Sequence, residues 1–372
     1  MRIINIIENL DKGAVENWLV NVFIESRKFK PEYEWTFYCI LGKPGRLDEK
    51  VTQAGGNIIY APCTVSNKIK FLQALRKTLM TGKYDIIHSH HDYLSGFYLL
   101  ASFKIRFKKR ILHIHNTDAA LPVGNRLLHN ILLKPFRRLG IYFSDIIVGI
   151  SKDTLQQFIK KAKLHNKQLT VLYYGIDLER FDNNTDSVIL RQNLGLPVNA
   201  KLLLFCGRMN AFKNPVFVVD ILNELLKCNK NYQVLFVGEG DLTKDVISRA
   251  TGLGIADNVK LIGWRNDLPD VMKASDVFVF PRVEYPKEGL GLVVVEAQAA
   301  GLPMVLSNGI VDDAVEIEEL ANFISLNNNP VAWANAIEKI EKKIPAAEAL
   351  ERMKASKFSL PIATQNLLAL YA

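Results

Sequence analysis

Nowhere in this sequence of 372 residues do about 18 apolar residues run together, the length a helix needs to cross the hydrocarbon core of a membrane. The apolar opening Ile3 to Ile7 stops at Glu8, short of a secretory hydrophobic region, so the chain is expected to stay in the cytoplasm. Cysteine is scarce. Cys39, Cys63, Cys206 and Cys228 show neither a CxxC pair nor zinc-ligand spacing, and three lie inside apolar runs, so all four are expected to be reduced core residues. Low-complexity tracts, a collagen period and solenoid repeats are missing too, and 49% hydrophobic with 23% charged residues is a globular composition, which excludes disorder and fibre. At roughly 100 to 200 residues per domain, the length predicts two domains with cores that need no disulfide or structural metal.

The net charge of +9 is unevenly spread. Residues 1 to 185 carry 28 Lys and Arg against 16 Asp and Glu, a balance of +12, while the remainder carries −3. The excess concentrates in Lys104, Arg106, Lys108, Lys109 and Arg110, then Arg126, Lys134, Arg137 and Arg138. An acidic partner of the N-terminal half is implied: nucleic acid, an anionic membrane surface or a phosphorylated substrate. A merely solvated basic face accounts for any single cluster equally well.

Short β-branched and aromatic runs alternate with helical patterns, as in parallel sheets built from βαβ units. Seven runs form a first set: Ile3 to Ile7, Trp35 to Leu41, Asn57 to Tyr60, Asp85 to Ser89, Arg110 to His115, Ile146 to Ile150 and Leu169 to Tyr173. Six form a second: Leu202 to Cys206, Gln233 to Val237, Val259 to Ile262, Val277 to Phe280, Met304 to Leu306 and Phe323 to Leu326. The expected fold class is α/β with two doubly wound, Rossmann-like domains, residues 1–180 and 181–358, facing a deep cleft. The polar stretch 178–198, with Asn183, Asn184, Thr185 and Asp186, reads as the linker, and residues 359–372 as a closing helix returning to the first domain. Sheets of this kind bind ligands at their carboxyl ends, so function is expected in the cleft.

Two segments of the second domain carry chemistry. Gly207-Arg208-Met209-Asn210-Ala211-Phe212-Lys213-Asn214 follows its first strand, and a guanidinium fork with an ammonium in one loop suits a diphosphate better than a single carboxylate. Phe280-Pro281 then leads to Glu288-Gly289-Leu290-Gly291-Leu292, Glu296 and Ala297-Gln298-Ala299-Ala300-Gly301-Leu302-Pro303, which reads as strand, loop, helix, strand. Gly289 and Gly291 let backbone approach a ligand, and the start of the helix from Leu292 can receive a phosphate. Glu288 and Glu296 flank an apolar helix and therefore need hydroxyl or cationic partners; a buried ion pair for Glu296 and a dipole-favoured helix-start carboxylate for Glu288 are the structural alternatives.

In these segments the chain resembles the retaining nucleotide-sugar glycosyltransferases of family 4 (GT4), which have the GT-B fold. The E-x7-E signature from Glu288 to Glu296, preceded by GRxxxxKN at Arg208 and Lys213, carries the resemblance, with VGEGD at Val237 to Asp241, LIGWRND at Leu261 to Asp267 and YYGID at Tyr173 to Asp177 as weaker matches. The resemblance implies that Arg208 and Lys213 hold the donor diphosphate in place of a metal, beside Gly207. It implies that Glu288 binds hydroxyls of the donor sugar, that backbone at Gly289, Leu290, Gly291 and Leu292 meets the diphosphate, that Glu296 accepts from the ribose and that backbone near Arg265 meets the base. In the first domain it places Gly13 and His115 against the donor, His115 beside the reacting sugar. No metal and no cofactor is expected, and the DxD triplet that holds a cation in the other major glycosyltransferase fold does not occur in the sequence.

Three departures from the family pattern stand out: Gly13-Ala14 where two glycines are frequent, Tyr174 where asparagine is frequent, and Arg282 to Lys287 filling a usually short gap before Glu288. His88, His90 and His91 cluster like a metal site but read as structural, and the family assigns them no metal. The expected activity is metal-independent, retaining transfer of a hexose or N-acetylhexosamine from a UDP-sugar to a lipid-linked or polysaccharide glycan, in capsule or lipopolysaccharide biosynthesis. Alternatives are a nucleotide-sugar 2-epimerase of the same architecture and a non-catalytic glycosyltransferase-like partner subunit. Phe103, Phe107, Leu132, Leu133 and Phe136 interleave with the basic clusters, so the enzyme is expected to sit peripherally on the inner face of the cytoplasmic membrane. Nucleic acid is not expected as a partner, since no recognition module accompanies the basic residues.

Overall fold

The computed structural model describes residues 1–11, 13–116, 133–164, 166–183, 186–228, 231–341 and 344–372. Arg126, Leu132, Asn184 and Thr185 lie outside them. The described chain divides into two compact units, residues 1–176 with 357–372, and residues 177–356.

The first unit holds seven strands: β1 (Arg2–Ile7), β2 (Glu34–Cys39), β3 (Asn57–Tyr60), β4 (Ile86–Ser89), β5 (Lys109–Ile114), β6 (Ile146–Gly149) and β7 (Gln168–Val171). They form one parallel sheet in the order β3-β2-β1-β4-β5-β6-β7. The order reverses between β1 and β4, and such a switch point opens a crevice at the carboxyl ends of the two strands. Both faces are covered, which is why the strands are continuous apolar runs rather than alternating ones. The helix Ala14–Ser26 buries Trp18, Leu19, Val22 and Phe23, a helical repeat of one face. The helix Leu360–Tyr371 is part of this unit, tied in where Leu360 N donates to Ile176 O (3.2 Å) and where the Tyr371 ring meets Trp35 edge-on.

The second unit holds β8 (Lys201–Cys206), β9 (Tyr232–Val237), β10 (Val259–Leu261), β11 (Val277–Phe280), β12 (Met304–Leu306) and β13 (Ala321–Phe323), parallel in the order β10-β9-β8-β11-β12-β13. Its switch point lies between β8 and β11. The last strand is two to three residues earlier than the run Phe323 to Leu326 suggests. It is an edge strand with Phe323 exposed, so burial does not mark its position.

Two expectations are corrected here. The stretch 178–198 is no irregular linker: it contains the helix Ser187–Asn193, capped by the Asp186 carboxylate accepting from Val188 N and Ile189 N. Arg191 in that helix donates to Asp276, Ala274 O, Val198 O and Ala200 O, which fastens the segment to the second unit. All four cysteines are free, but Cys228 is exposed and Cys63 half-buried, leaving only Cys39 and Cys206 in cores. Cys228 follows directly on the helix Pro215–Lys227 as its exposed cap, outside the apolar stripe.

Candidate active site

In the second unit, the loops after β8, β9 and β10 are laced together by backbone. Gly207 N donates to Val237 O (3.0 Å), Met209 N to Glu239 O (3.0 Å) and Gly238 N to Gly263 O (2.8 Å). A Cβ on Gly238 would lie 2.3 Å from Gly207 O and one on Gly240 2.3 Å from Met209 O, so the glycines of VGEGD let two loops lie on one another. This holds the 207–214 loop, in which Asn210 Oδ1 accepts from Lys213 N (3.0 Å).

Arg208 is exposed, whereas Lys213 is drawn inward, its ammonium 5.1 Å from the centre of the Phe280 ring. Lys213 Nζ donates to Glu288 Oε2 at 2.5 Å. Arg282 Nε donates to the same oxygen, also at 2.5 Å. Burial pushes the Glu288 carboxyl up, but the two cations outweigh it and leave the group below the usual carboxylate range. Burial pulls the Lys213 ammonium down, opposed by Glu288 and assisted by the charges of Arg282 and Arg208. Behind Glu288, Gly291 caps the helix Leu292–Ala299 at φ +85° and offers no side chain to it, so the first N–H groups of the helix stay available to an anion.

Glu296 stands in that helix with no hydrogen-bond or ion-pair partner among the described residues. Burial pushes its carboxyl up to about 7, against the lowering effect of the Arg180 charge. A carboxyl in that state takes a hydroxyl partner readily. Arg265 is engaged side-on by Asp267, Nε to Oδ1 at 2.7 Å and Nη2 to Oδ2 at 2.5 Å.

In the first unit, Gly13 caps the helix Ala14–Ser26, and a Cβ there would collide with the Glu16 carboxylate. His115 follows β5 and lines a cavity of about 360 Å3 with Glu8, Glu16, His90, Asp92 and Asn116. Its backbone N donates to Asp92 Oδ1 (2.6 Å) and its ring is buried. His90 Nε2 faces Asn5 Oδ1 (3.1 Å) and must donate to it; His90 Nδ1 then accepts from His115 Nε2 (3.2 Å), and His115 Nδ1 accepts from the Tyr174 hydroxyl. Both ring nitrogens of His115 are thus engaged. Tyr174, the end of this hydrogen-bonded series, is stacked on Trp18 at 4.7 Å.

The histidines group differently from their order in sequence. His88 and His90 meet His113 of the neighbouring strand, with one ligand nitrogen from each within 4.8 Å of the others, while His91 packs against Tyr98. His88 joins Tyr371 (2.9 Å) and His113 (3.2 Å). Sequence reasoning missed His113 and Arg282. For His113 the available signal was a second H-x-H, His113 and His115, at the end of the strand beside the first.

Of the interleaved apolar residues, Phe103 is half exposed, but Phe107 is buried and Leu133 and Phe136 pack on the core, which corrects their expected role as a membrane face. The basic residues beside them also serve the fold: Lys108 pairs with Asp85 (3.0 Å), Lys109 donates to Leu370 O (3.1 Å) and Arg110 to Ile105 O (2.7 Å).

Residues 16–180 match the family model described as Glycosyltransferase Family 4, and residues 186–357 the one described as Glycosyl transferases group 1. The chain belongs to the family 4 glycosyltransferases. It is 25% identical to the Staphylococcus aureus capsular polysaccharide biosynthesis glycosyltransferase CapH, over 100% of this chain and 98% of the relative. It is 27% identical to the Escherichia coli UDP-Gal:alpha-D-GlcNAc-diphosphoundecaprenol alpha-1,3-galactosyltransferase, over 73% of this chain and 70% of the relative. Its fold matches that of Anabaena HepE, solved in complex with UDP, with a TM-score of 0.79 at 19% identity over 100% of this chain and 99% of that one. The protein is a glycosyltransferase with two parallel-sheet α/β domains.

Proposed function

We propose that this glycosyltransferase moves a hexose or N-acetylhexosamine from a UDP-sugar to a lipid-linked or polysaccharide glycan, with retention at the anomeric carbon and without a divalent metal. The observation that carries the reading is the Lys213–Glu288–Arg282 cluster beside Arg208 at the carboxyl end of the second sheet. Arg208, Lys213 and Arg282 against Glu288 leave two positive charges, which match the two negative charges of a sugar diphosphate. As the glycosidic bond breaks, another negative charge gathers on the departing UDP, and Lys213, Arg208 and the start of the helix at Leu292 supply the field that stabilises it. Glu288 accepts from the sugar hydroxyls and Glu296 from the ribose. The departing diphosphate itself takes the acceptor's proton on the same face, so no protein nucleophile is needed. The likeness to a galactosyltransferase that acts on a diphosphoundecaprenol acceptor, to a capsule glycosyltransferase and to a protein that binds UDP supports a uridine nucleotide and a diphospholipid-borne or capsular glycan.

A panel of nucleotide sugars read by thermal stabilisation tests the donor. At a hundred times Kd a true donor adds about 2.7 kcal/mol. A UDP-sugar is expected to give the largest shift and to support transfer in chelator. Loss of turnover in chelator, restored by magnesium or manganese, contradicts metal independence; donor turnover without acceptor points instead to an epimerase.

The proposed association with an anionic membrane rests on charge in the first unit. No helix among the described residues is long and apolar enough to cross a membrane. Lys134, Arg138, Lys160, Lys161 and Lys163 are exposed around a cavity of about 760 Å3 with the ring of Tyr142, and no acidic residue among the described ones lines it. Each basic residue near an anionic surface contributes on the order of 1 kcal/mol, weakened by salt. Changing Lys134, Arg138 and Lys163 to serine should cut recovery on anionic vesicles at low salt by roughly a hundredfold. Equal sedimentation of wild type and triple variant removes the support for membrane binding.

A further inference from the structure

We propose that Arg282 is a positioning residue: a permanent counter-ion of Glu288 that lets Lys213 leave the carboxylate for the donor diphosphate. The inference rests on the donor site described above and names a residue that the family signature does not include.

Three features of the geometry carry it. First, both cations donate to one oxygen, Glu288 Oε2, and no partner is recorded for Oε1 among the described residues. Oε2 is anchored by charge, and Oε1 is left to accept from a sugar hydroxyl.

Second, the two cations differ in freedom. Arg282 is 4% exposed and its Nη1 donates to Val283 O (2.8 Å) and to Pro286 O, so it is fixed within its own loop. That loop is itself fastened, by Val283 N donating to Phe212 O (2.9 Å), by Leu326 N donating to the Glu284 carboxylate (2.8 Å) and by the Ser307 hydroxyl donating to Arg282 O. Among the described residues Lys213 Nζ donates to Glu288 alone, and it otherwise lies over the Phe280 ring. It is a flexible point charge at the end of four methylenes.

Third, a buried carboxylate cannot give up its only counter-ion cheaply, since removing one partner of a buried pair strands the other charge. With Arg282 in place, Lys213 can turn to a phosphate oxygen while Glu288 keeps a cation at 2.5 Å. With Arg282 gone, the diphosphate and Glu288 compete for one ammonium. The Arg282 to Lys287 segment, a departure from the family's short gap, thus supplies the charge that allows the exchange.

The test compares Arg282→Met and Arg282→Lys in the full chain, by UDP titration calorimetry and by the pH profile of kcat/KM. The methionine variant is expected to bind UDP about tenfold more weakly, and the acid limb of its profile to move up by about one pH unit as Glu288 loses a cation. The lysine variant keeps the charge but not the loop bonds, and is expected to recover both to within about twofold. A methionine variant with wild-type UDP affinity and an unmoved acid limb overturns the proposal. So do methionine and lysine variants that are equally impaired with no movement of the acid limb, because that pattern marks a role in loop structure alone. If the methionine variant does not fold, the lysine variant decides: tenfold weaker UDP binding in a folded Arg282→Lys protein overturns the charge role. Failure of the wild-type chain to bind UDP at all overturns the donor-site reading itself, a result distinguishable from any of these.

Discussion

Lys213→Ala is expected to lower kcat by roughly 10²- to 10³-fold while weakening UDP affinity only about tenfold, because a lost donor to a developing anion costs most where the charge is greatest. In the resting protein Lys213 is held by Glu288 at 2.5 Å, so part of its interaction with a bound diphosphate is spent on leaving that carboxylate. In the proposed mechanism the charge that builds on the departing nucleotide exists chiefly in the transition state, and the ammonium's full effect is felt there. Glu288 keeps Arg282 in the alanine variant, so the carboxylate stays ionised and the sugar-binding half of the site should survive. Steady-state kinetics beside calorimetric UDP binding separates the two effects. Equal losses in binding and turnover would place Lys213 in ground-state binding and remove its part in leaving-group stabilisation.

Local pattern made the second unit's half of this candidate site legible. Gly207 to Asn214 and Glu288 to Glu296 are contiguous segments whose strand–loop–helix context follows from apolar runs and glycines, and the structure puts Lys213 and Glu288 in contact. Arg282 was not legible, because its value arises only when an irregular loop folds back to bring a guanidinium six residues upstream onto the carboxylate. The extra length of that loop was the visible trace. Twelve of the thirteen strands lie within a residue or two of the apolar runs; the exception, β13, has too little burial to mark its register. The basic N-terminal half shows the opposite failure. Interleaved Phe107, Leu133 and Phe136 look like a membrane face in sequence, but Phe107 is buried in the core of the first unit and Leu133 and Phe136 pack against it.

The histidines needed the sheet. His88 and His90, and His113 and His115, are two H-x-H pairs on adjacent parallel strands, and period-two alternation puts all four on one face only once β4 is known to pair with β5. Beneath the helix that carries Trp18 they form a layer of neutral imidazoles, with Trp18 5.4 Å from His113 and 4.7 Å from Tyr174. This arrangement sets the second large effect: stability of the first unit should collapse on mild acidification. Burial pulls His88 down to about 3 and holds His90, His113 and His115 well below the ordinary value, with the neighbouring imidazoles adding to the shift in the last three. The unfolded chain protonates these groups near pH 6.5, whereas the folded chain does not. The unfolded state therefore binds more protons below that pH, and stability is lost as pH falls through 6.5 and on towards 3. Each such histidine contributes a slope of roughly 1.4 kcal/mol per pH unit, so these four, with His91 pulled down by burial to about 4 beside them, approach about 7 kcal/mol per unit, a large part of the roughly 5 to 15 kcal/mol that holds a domain. Glu16, raised by burial in the same unit, works in the opposite direction as it takes up a proton, but it is one group against five histidines. Between pH 7.5 and 5.5 the melting temperature of this unit should drop by roughly 10 °C or more, at about 2 to 4 °C per kcal/mol. His88→Gln removes one of five titrating imidazoles and should reduce the slope by about a fifth. A melting temperature that stays level from pH 7.5 to 5.5 would show that the imidazole layer takes up protons in the folded state, and the account of it as a buried, neutral layer would fail.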